Sequence, residues 1–136
     1  MNTNQVEYIP SFQRTFIPKK AKIAKKAGTC LAEAAELAKQ SINNSYAKTH
    51  DIYIVPFDNN NYKGLAIGVT KVNKNPITKY INYLKMKIEA SFCINELNIP
   101  LFFPQMKVIE SKKYNTAEIV ARRIERSVNS LVKNSL

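Results

Sequence analysis

An α+β fold, a three-stranded sheet packed with helices behind a basic N-terminal arm, follows from three features of the sequence. Residues 29–46, 76–98 and the stretch after Asn115 place apolar residues at helical spacing. Residues 62–70 alternate Leu65, Ile67 and Val69 with Ala66, Gly68 and Thr70, which is strand spacing. Asp58-Asn59-Asn60-Asn61 separates that strand from the apolar run Ile52–Phe57, and Asp and Asn tolerate the left-handed conformations that tight turns need.

The elements follow in order. Residues 1–27 form a basic arm, expected to be extended until it meets a polyanion, and residues 28–136 form one α/β domain. In the first helix Leu31, Ala35, Ala38 and Ile42 share a face, with Thr29 as N-cap and Asn43-Asn44 as its end. Two strands then make a hairpin, and Pro56 places the end of the first near an edge or bend. Lys71–Asn75 is a basic loop. Asn75 before Pro76 joins an N-cap to a first helical residue that needs no N–H partner. The helix from Pro76 carries Ile77, Ile81, Leu84, Ile88 and Phe92 as its apolar stripe, with Lys79, Lys85 and Lys87 elsewhere. Pro100 and Pro104 bracket the apolar connection Leu101-Phe102-Phe103, and 105–111 is a third strand. Asn115 and Glu118 stand in capping-box spacing ahead of a last helix with Val120, Ile124, Val128 and Leu131 on its apolar face.

With 136 residues the chain is long enough for one core. Its net charge is +11, and the partner that balances such an excess is a polyanion. The excess is blocked: residues 1–27 hold six basic groups and one acid, 63–87 hold six lysines and no acid, and 107–136 hold seven basic groups and three acids. Lysine outnumbers arginine 17 to 4, which suits contact with phosphates irrespective of sequence. The candidate RNA-binding residues are Lys19, Lys20, Lys22, Lys25 and Lys26 in the arm, and Lys71, Lys74 and Lys79 at the loop and helix start. Lys112, Lys113, Arg122, Arg123 and Arg126 complete the set around the last turn and helix. Phe12 and Phe16 in the arm, with Tyr80, Tyr83 and Tyr114, are candidates either to stack on bases or to finish a core.

Other classes find less support. Cys30, Cys93 and His50 lack the close-spaced ligand pairs of a zinc site, so the cysteines are expected as buried reduced thiols in a reducing compartment, and no cofactor is expected. No apolar run approaches the roughly 18 residues of a membrane span. Residues 12–27 are basic and free of acid like an organellar targeting peptide, but they favour Lys over Arg and contain Pro18, so they are read as a retained arm. The abundance of Lys, Asn, Ile and Tyr is the bias of an AT-rich genome such as an organelle's or a parasite's. Asp58 and Glu110-Ser111-Lys112 echo the Asp…Glu-x-Lys metal site of some nucleases, a pattern common by chance in a lysine-rich chain. No phosphate-binding glycine loop and no hydrolytic triad is present.

The stretch 107–126, Lys-Val-Ile-Glu-Ser-Lys-Lys-Tyr-Asn-Thr-Ala-Glu-Ile-Val-Ala-Arg-Arg-Ile-Glu-Arg, together with the order of elements over about 29–134, resembles the N-terminal, type II K-homology half of small-subunit ribosomal protein three. The resemblance implies a K-homology-like domain of helix, strand, strand, helix pair and strand, followed by a further helix. It implies a structural protein without chemistry of its own, built into the small ribosomal subunit against ribosomal RNA and neighbouring ribosomal proteins. The family's C-terminal half would be supplied by a separate chain or lost, and an organellar, mitochondrial ribosome is the expected location. The Gly-x-x-Gly of K-homology domains is absent; the nearest candidates for its place are Gly64-Leu65-Ala66-Ile67-Gly68 and, preferred because it lies between hairpin and helix, the loop Lys71-Val72-Asn73-Lys74-Asn75. A free-standing nucleic-acid-binding regulator and a small metal-dependent nuclease are the alternatives.

Overall fold

A computed structural model describes residues 15–46, 49–59, 62–72, 74–92, 106–112 and 116–134. In chain order these form β1 (Thr15–Phe16), α1 (Lys20–Ala27), α2 (Thr29–Tyr46), β2 (His50–Asn59), β3 (Tyr62–Lys71), α3 (Pro76–Phe92), β4 (Lys107–Glu110) and α4 (Ala117–Asn134). The fold is α+β: β2, β3 and β4 make an antiparallel sheet, and the two-residue β1 adds a parallel edge to β2 at Ile52 and Tyr53.

Strand periodicity divides the sheet into two faces, and both are covered. Ile52, Ile54, Leu65, Ile67 and Ile109 pack with Ile23 and Ala27 of α1, Leu31, Ala35, Ala38 and Ile42 of α2, and Val120, Ile124, Val128 and Leu131 of α4. Tyr53, Val55, Phe57 and Ala66 on the other face pack against Met86 and Ala90 of α3, with Tyr83 and Met106 at the margin. α2 packs against both α4 and α1, and its small side chains Ala32, Ala34, Ala35 and Ala38 are all fully buried. Gly64 lets β3 and β4 approach, because a Cβ at that position would collide with the carbonyl oxygen of Ile109. Pro56 lies beyond the end of β1, on a stretch of β2 whose outer edge pairs with no described strand.

The apolar face expected for α4 is buried as the spacing requires. Several other expectations need correction. Residues 20–27, expected to be extended, form α1, and Ile23 and Ala27 enter the core; residues 1–14, including Phe12, lie outside the described residues. Gly28, at φ 99° and ψ 159°, occupies backbone space that is essentially glycine's own and separates α1 from α2. Thr29 is therefore the first residue of α2, not a cap before it, and α2 continues past Asn43-Asn44 to Tyr46. Asn75 does cap α3, its Oδ1 accepting from the Ile77 N–H at 2.9 Å. The capping side chain observed at α4 is Thr116, whose Oγ1 accepts from the Ile119 N–H at 3.3 Å; Asn115 lies outside the described residues. So do Cys93, the bracket Pro100–Pro104, the strand residue Gln105 and Tyr114.

The largest correction concerns α3. Its expected core stripe faces outward: Ile77 is 68% exposed, Ile81 44%, Leu84 38% and Ile88 46%. The face turned to the sheet carries Lys79, Met86, Glu89 and Ala90, all buried. The physical reason lies in the sheet, which presents Asp51 and Thr70 beside Tyr53, Val55 and Ala66. A sheet face that itself carries polar groups costs a helix less when the helix side laid on it is of mixed polarity than when it is wholly apolar. Asp51, Lys79 and Glu89 are each engaged by neighbours. The Tyr53 hydroxyl interacts with Thr70 and Asn82, yet burial dominates and pushes its pKa up to about 12.

Candidate nucleic-acid interface

β4 and α4 build the best-defined basic site. β4 ends where the Ser111 N–H donates to the Lys63 carbonyl at 2.7 Å, and Lys112 follows at the exposed start of the connection to α4. Burial of Val120, Ile124, Val128 and Leu131 turns Arg122, Arg123 and Arg126 outward. Arg123 and Arg126 then face Lys112 across a groove of about 430 Å³, also lined by Val108, Glu110 and Ser127. Three basic residues and one acidic residue line it, which leaves the groove positive and suited to phosphate oxygens. Arg122 is exposed but does not line it. Lys113 lies outside the described residues.

α1 provides a second basic surface. Ile23 and Ala27 anchor it to the sheet, and Lys19, Lys20, Lys22, Lys25 and Lys26 are all exposed. Lys25 and Lys26 lie in its last turn, where the helix dipole favours cations and offsets part of their mutual repulsion. Lys26 also lines a cavity of about 210 Å³ with Pro56, Phe57, Asp58, Lys87 and Ser91.

Lys71 and Lys74 are exposed at the other end of the sheet. Lys71 pairs with His50 at the far end of β3 from Lys63, a span of about 25 Å at ordinary strand rise. They form a separate basic spot around the N-terminus of α3, and Asn73 between them lies outside the described residues. Lys79 belongs to no surface: it is 3% exposed beneath α3, so its place among the candidate RNA contacts is corrected. Tyr83 is half-buried with the Lys87 ammonium 5.4 Å from its ring centre, while Tyr80 is more open and packs beside it, ring centres 6.5 Å apart. Three exposed lysines, Lys63, Lys107 and Lys133, escaped the sequence reading. Lys63 meets the end of β4, and Lys107 starts β4. Only the β3–β4 pairing brings the residue 63 and residue 112 regions together, and no local pattern signals it.

The nuclease pattern does not assemble. Asp58 pairs with Lys63, whereas Glu110 pairs with Gly64, so the two carboxylates sit on opposite faces of the sheet with β3 between their strands. Among the described residues no group of three His, Cys, Asp or Glu side chains could hold a metal ion. Cys30 is half-buried; burial first, then Glu33 and Glu118, push its thiol pKa up, which makes it a poor nucleophile. No helix among the described residues is long and apolar enough to cross a membrane. No family model, curated protein or solved structure matches the chain.

Proposed function

We propose that this chain binds RNA as a structural constituent of a ribonucleoprotein particle, the small ribosomal subunit being the specific assembly. The observation that carries the reading is the groove in which Lys112, Arg123 and Arg126 meet. Residues alike in charge, one following β4 and two on α4, line one groove there, on a chain of net charge +11. The α1 lysines extend the basic surface on a helix that is itself anchored in the core. Such a surface braces phosphates and needs no reacting group.

The finer assignment, a K-homology-like domain akin to the N-terminal half of small-subunit ribosomal protein three in an organellar ribosome, rests on the order of α2, β2, β3, β4 and α4 and on residues 107–126, with one helix, α3, described where the resemblance implies a pair. In place of the glycine clamp, the loop around Lys71 and Lys74 would hold phosphates by charge alone. Ribosomal RNA and adjacent ribosomal proteins are the partners this reading names.

Two measurements test it. The native chain should sediment with the small ribosomal subunit and move to the top of the gradient after RNase; sedimentation at the top in both conditions overturns the ribosomal assignment. Purified protein should bind duplex RNA with steep salt dependence. Replacing Lys112, Arg123 and Arg126 together by Ala should lower the slope of log K against log salt by about 2–3. An unchanged slope would remove the groove from the binding surface.

A further inference from the structure

The outward stripe of α3 is the feature that RNA binding leaves without a role. Ile77, Ile81, Leu84 and Ile88 are spaced four, three and four apart, the heptad alternation of a helix–helix seam. Met86, fully buried against Tyr53 and Val55, faces the sheet on the opposite side of the helix. α3 thus presents one side to its own domain and a ready seam to solvent, with Tyr80, 41% exposed, widening it. The span from Ile77 to Ile88 is about 17 Å, or three helical turns.

We propose that this seam docks an acidic amphipathic helix of a partner protein. Two features select that occupant. The branched aliphatic side chains at seam spacing fit another helix's apolar stripe and offer nothing to a phosphate backbone. The flanking charge is of one sign: Lys85 and Lys87 border Leu84 and Ile88, Lys74 stands exposed just before the helix, and Glu89, the one acid within α3, is buried. A helix with carboxylates beside its apolar stripe meets these cations favourably. A second copy of the same seam offers these cations no exposed carboxylate, because Glu89 is buried, and in parallel orientation it sets Lys85 and Lys87 against their own counterparts. The inference shares only Lys74 with the RNA-binding reading and uses none of the groove or α1 residues.

The test uses the full chain and two labelled synthetic three-heptad helices with Leu at the seam positions. One has Glu at every flanking position and the other has Lys. Fluorescence anisotropy should show the Glu helix binding at least tenfold more tightly than the Lys helix. The double variant Ile81→Ser/Leu84→Ser should weaken the Glu helix at least tenfold with an unchanged melting temperature. Lys85→Glu/Lys87→Glu should invert the preference. The triple Ala variant of Lys112, Arg123 and Arg126 should bind the Glu helix like the parent, which separates the seam from the basic groove. Equal binding of both helices, binding of neither, or insensitivity to Ile81→Ser/Leu84→Ser overturns the proposal. Concentration-dependent dimerisation abolished by Ile81→Ser/Leu84→Ser would assign the seam to a second copy instead. Loss of fold in that variant would mean that the stripe is covered by the chain itself, and would equally overturn it.

Discussion

His50 opens β2 with its ring buried and its Nδ1 2.8 Å from the Thr49 hydroxyl oxygen. Burial first, then the nearby Lys71 charge, lowers its pKa below the ordinary 6.5. In the unfolded chain the ring takes up a proton as pH falls through its ordinary value, while in the folded chain it resists. Stability should therefore fall as pH drops below the unfolded pKa, and this contribution should level off once pH passes below the folded pKa. Urea unfolding of the parent and His50→Gln between pH 7.5 and 5 checks this, with a shallower decline expected in the variant. Lys79 teaches a related lesson at the same scale. In a basic stretch its charge looked like a phosphate contact, yet the side chain lies in the interior. Charge type is readable from a residue's name, but burial is set by the elements that surround it.

At the scale of elements, α1 and α3 are instructive. α1 has eight residues, four of them lysine, and such a short helix is marginal alone. Lysine is a fair helix former, so the sequence permits the helix without demanding it. Contact of Ile23 and Ala27 with the sheet supplies the stability that an isolated peptide lacks. Ile23→Ala should accordingly cost about 2–5 kcal/mol in chemical unfolding, although it touches none of the lysines, whereas an isolated peptide of residues 19–28 should show little helix by circular dichroism. α4 is the contrary case. Its stripe of Val120, Ile124, Val128 and Leu131 is strong and its outer face is charged, so spacing alone identified the buried side. In α3 the apolar stripe was equally regular, and it pointed away from the domain. Periodicity shows that a helix has an apolar side; it does not say which body that side will meet.

At the scale of the whole molecule, positive charge is spread over separated patches and not gathered into one cleft. The groove of Lys112, Arg123 and Arg126 lies beside the Gly64–Ala66 end of β3, and Lys71 and Lys74 lie at the other, about 20 Å away at ordinary strand rise. Contacts that far apart with no shared partner should add. Losses in duplex-RNA binding free energy from replacing the groove trio and the Lys71/Lys74 pair by Ala should sum to that of the combined variant within about 0.5 kcal/mol. Filter binding at fixed salt measures this, and a larger deviation would indicate that one patch reorganises when the other is vacated.

The amino-acid sequence by itself determined the excess of positive charge, the α+β class, the β2–β3 hairpin, the Asn75 cap and the buried face of α4. Each of these depends on neighbours within a few turns or on total composition, which is why local spacing and residue counts sufficed. Tertiary structure alone decided that part of the expected arm becomes α1, that α3 buries Lys79 and Glu89 while exposing its isoleucines, and that Lys63 lies beside the end of β4. It also decided that Asp58 and Glu110 stand on opposite sides of the sheet. These outcomes turn on which distant surfaces are complementary. The sheet face carrying Asp51 and Thr70 is covered by a helix side that is itself of mixed polarity, and the helix's own period gives no sign of that match.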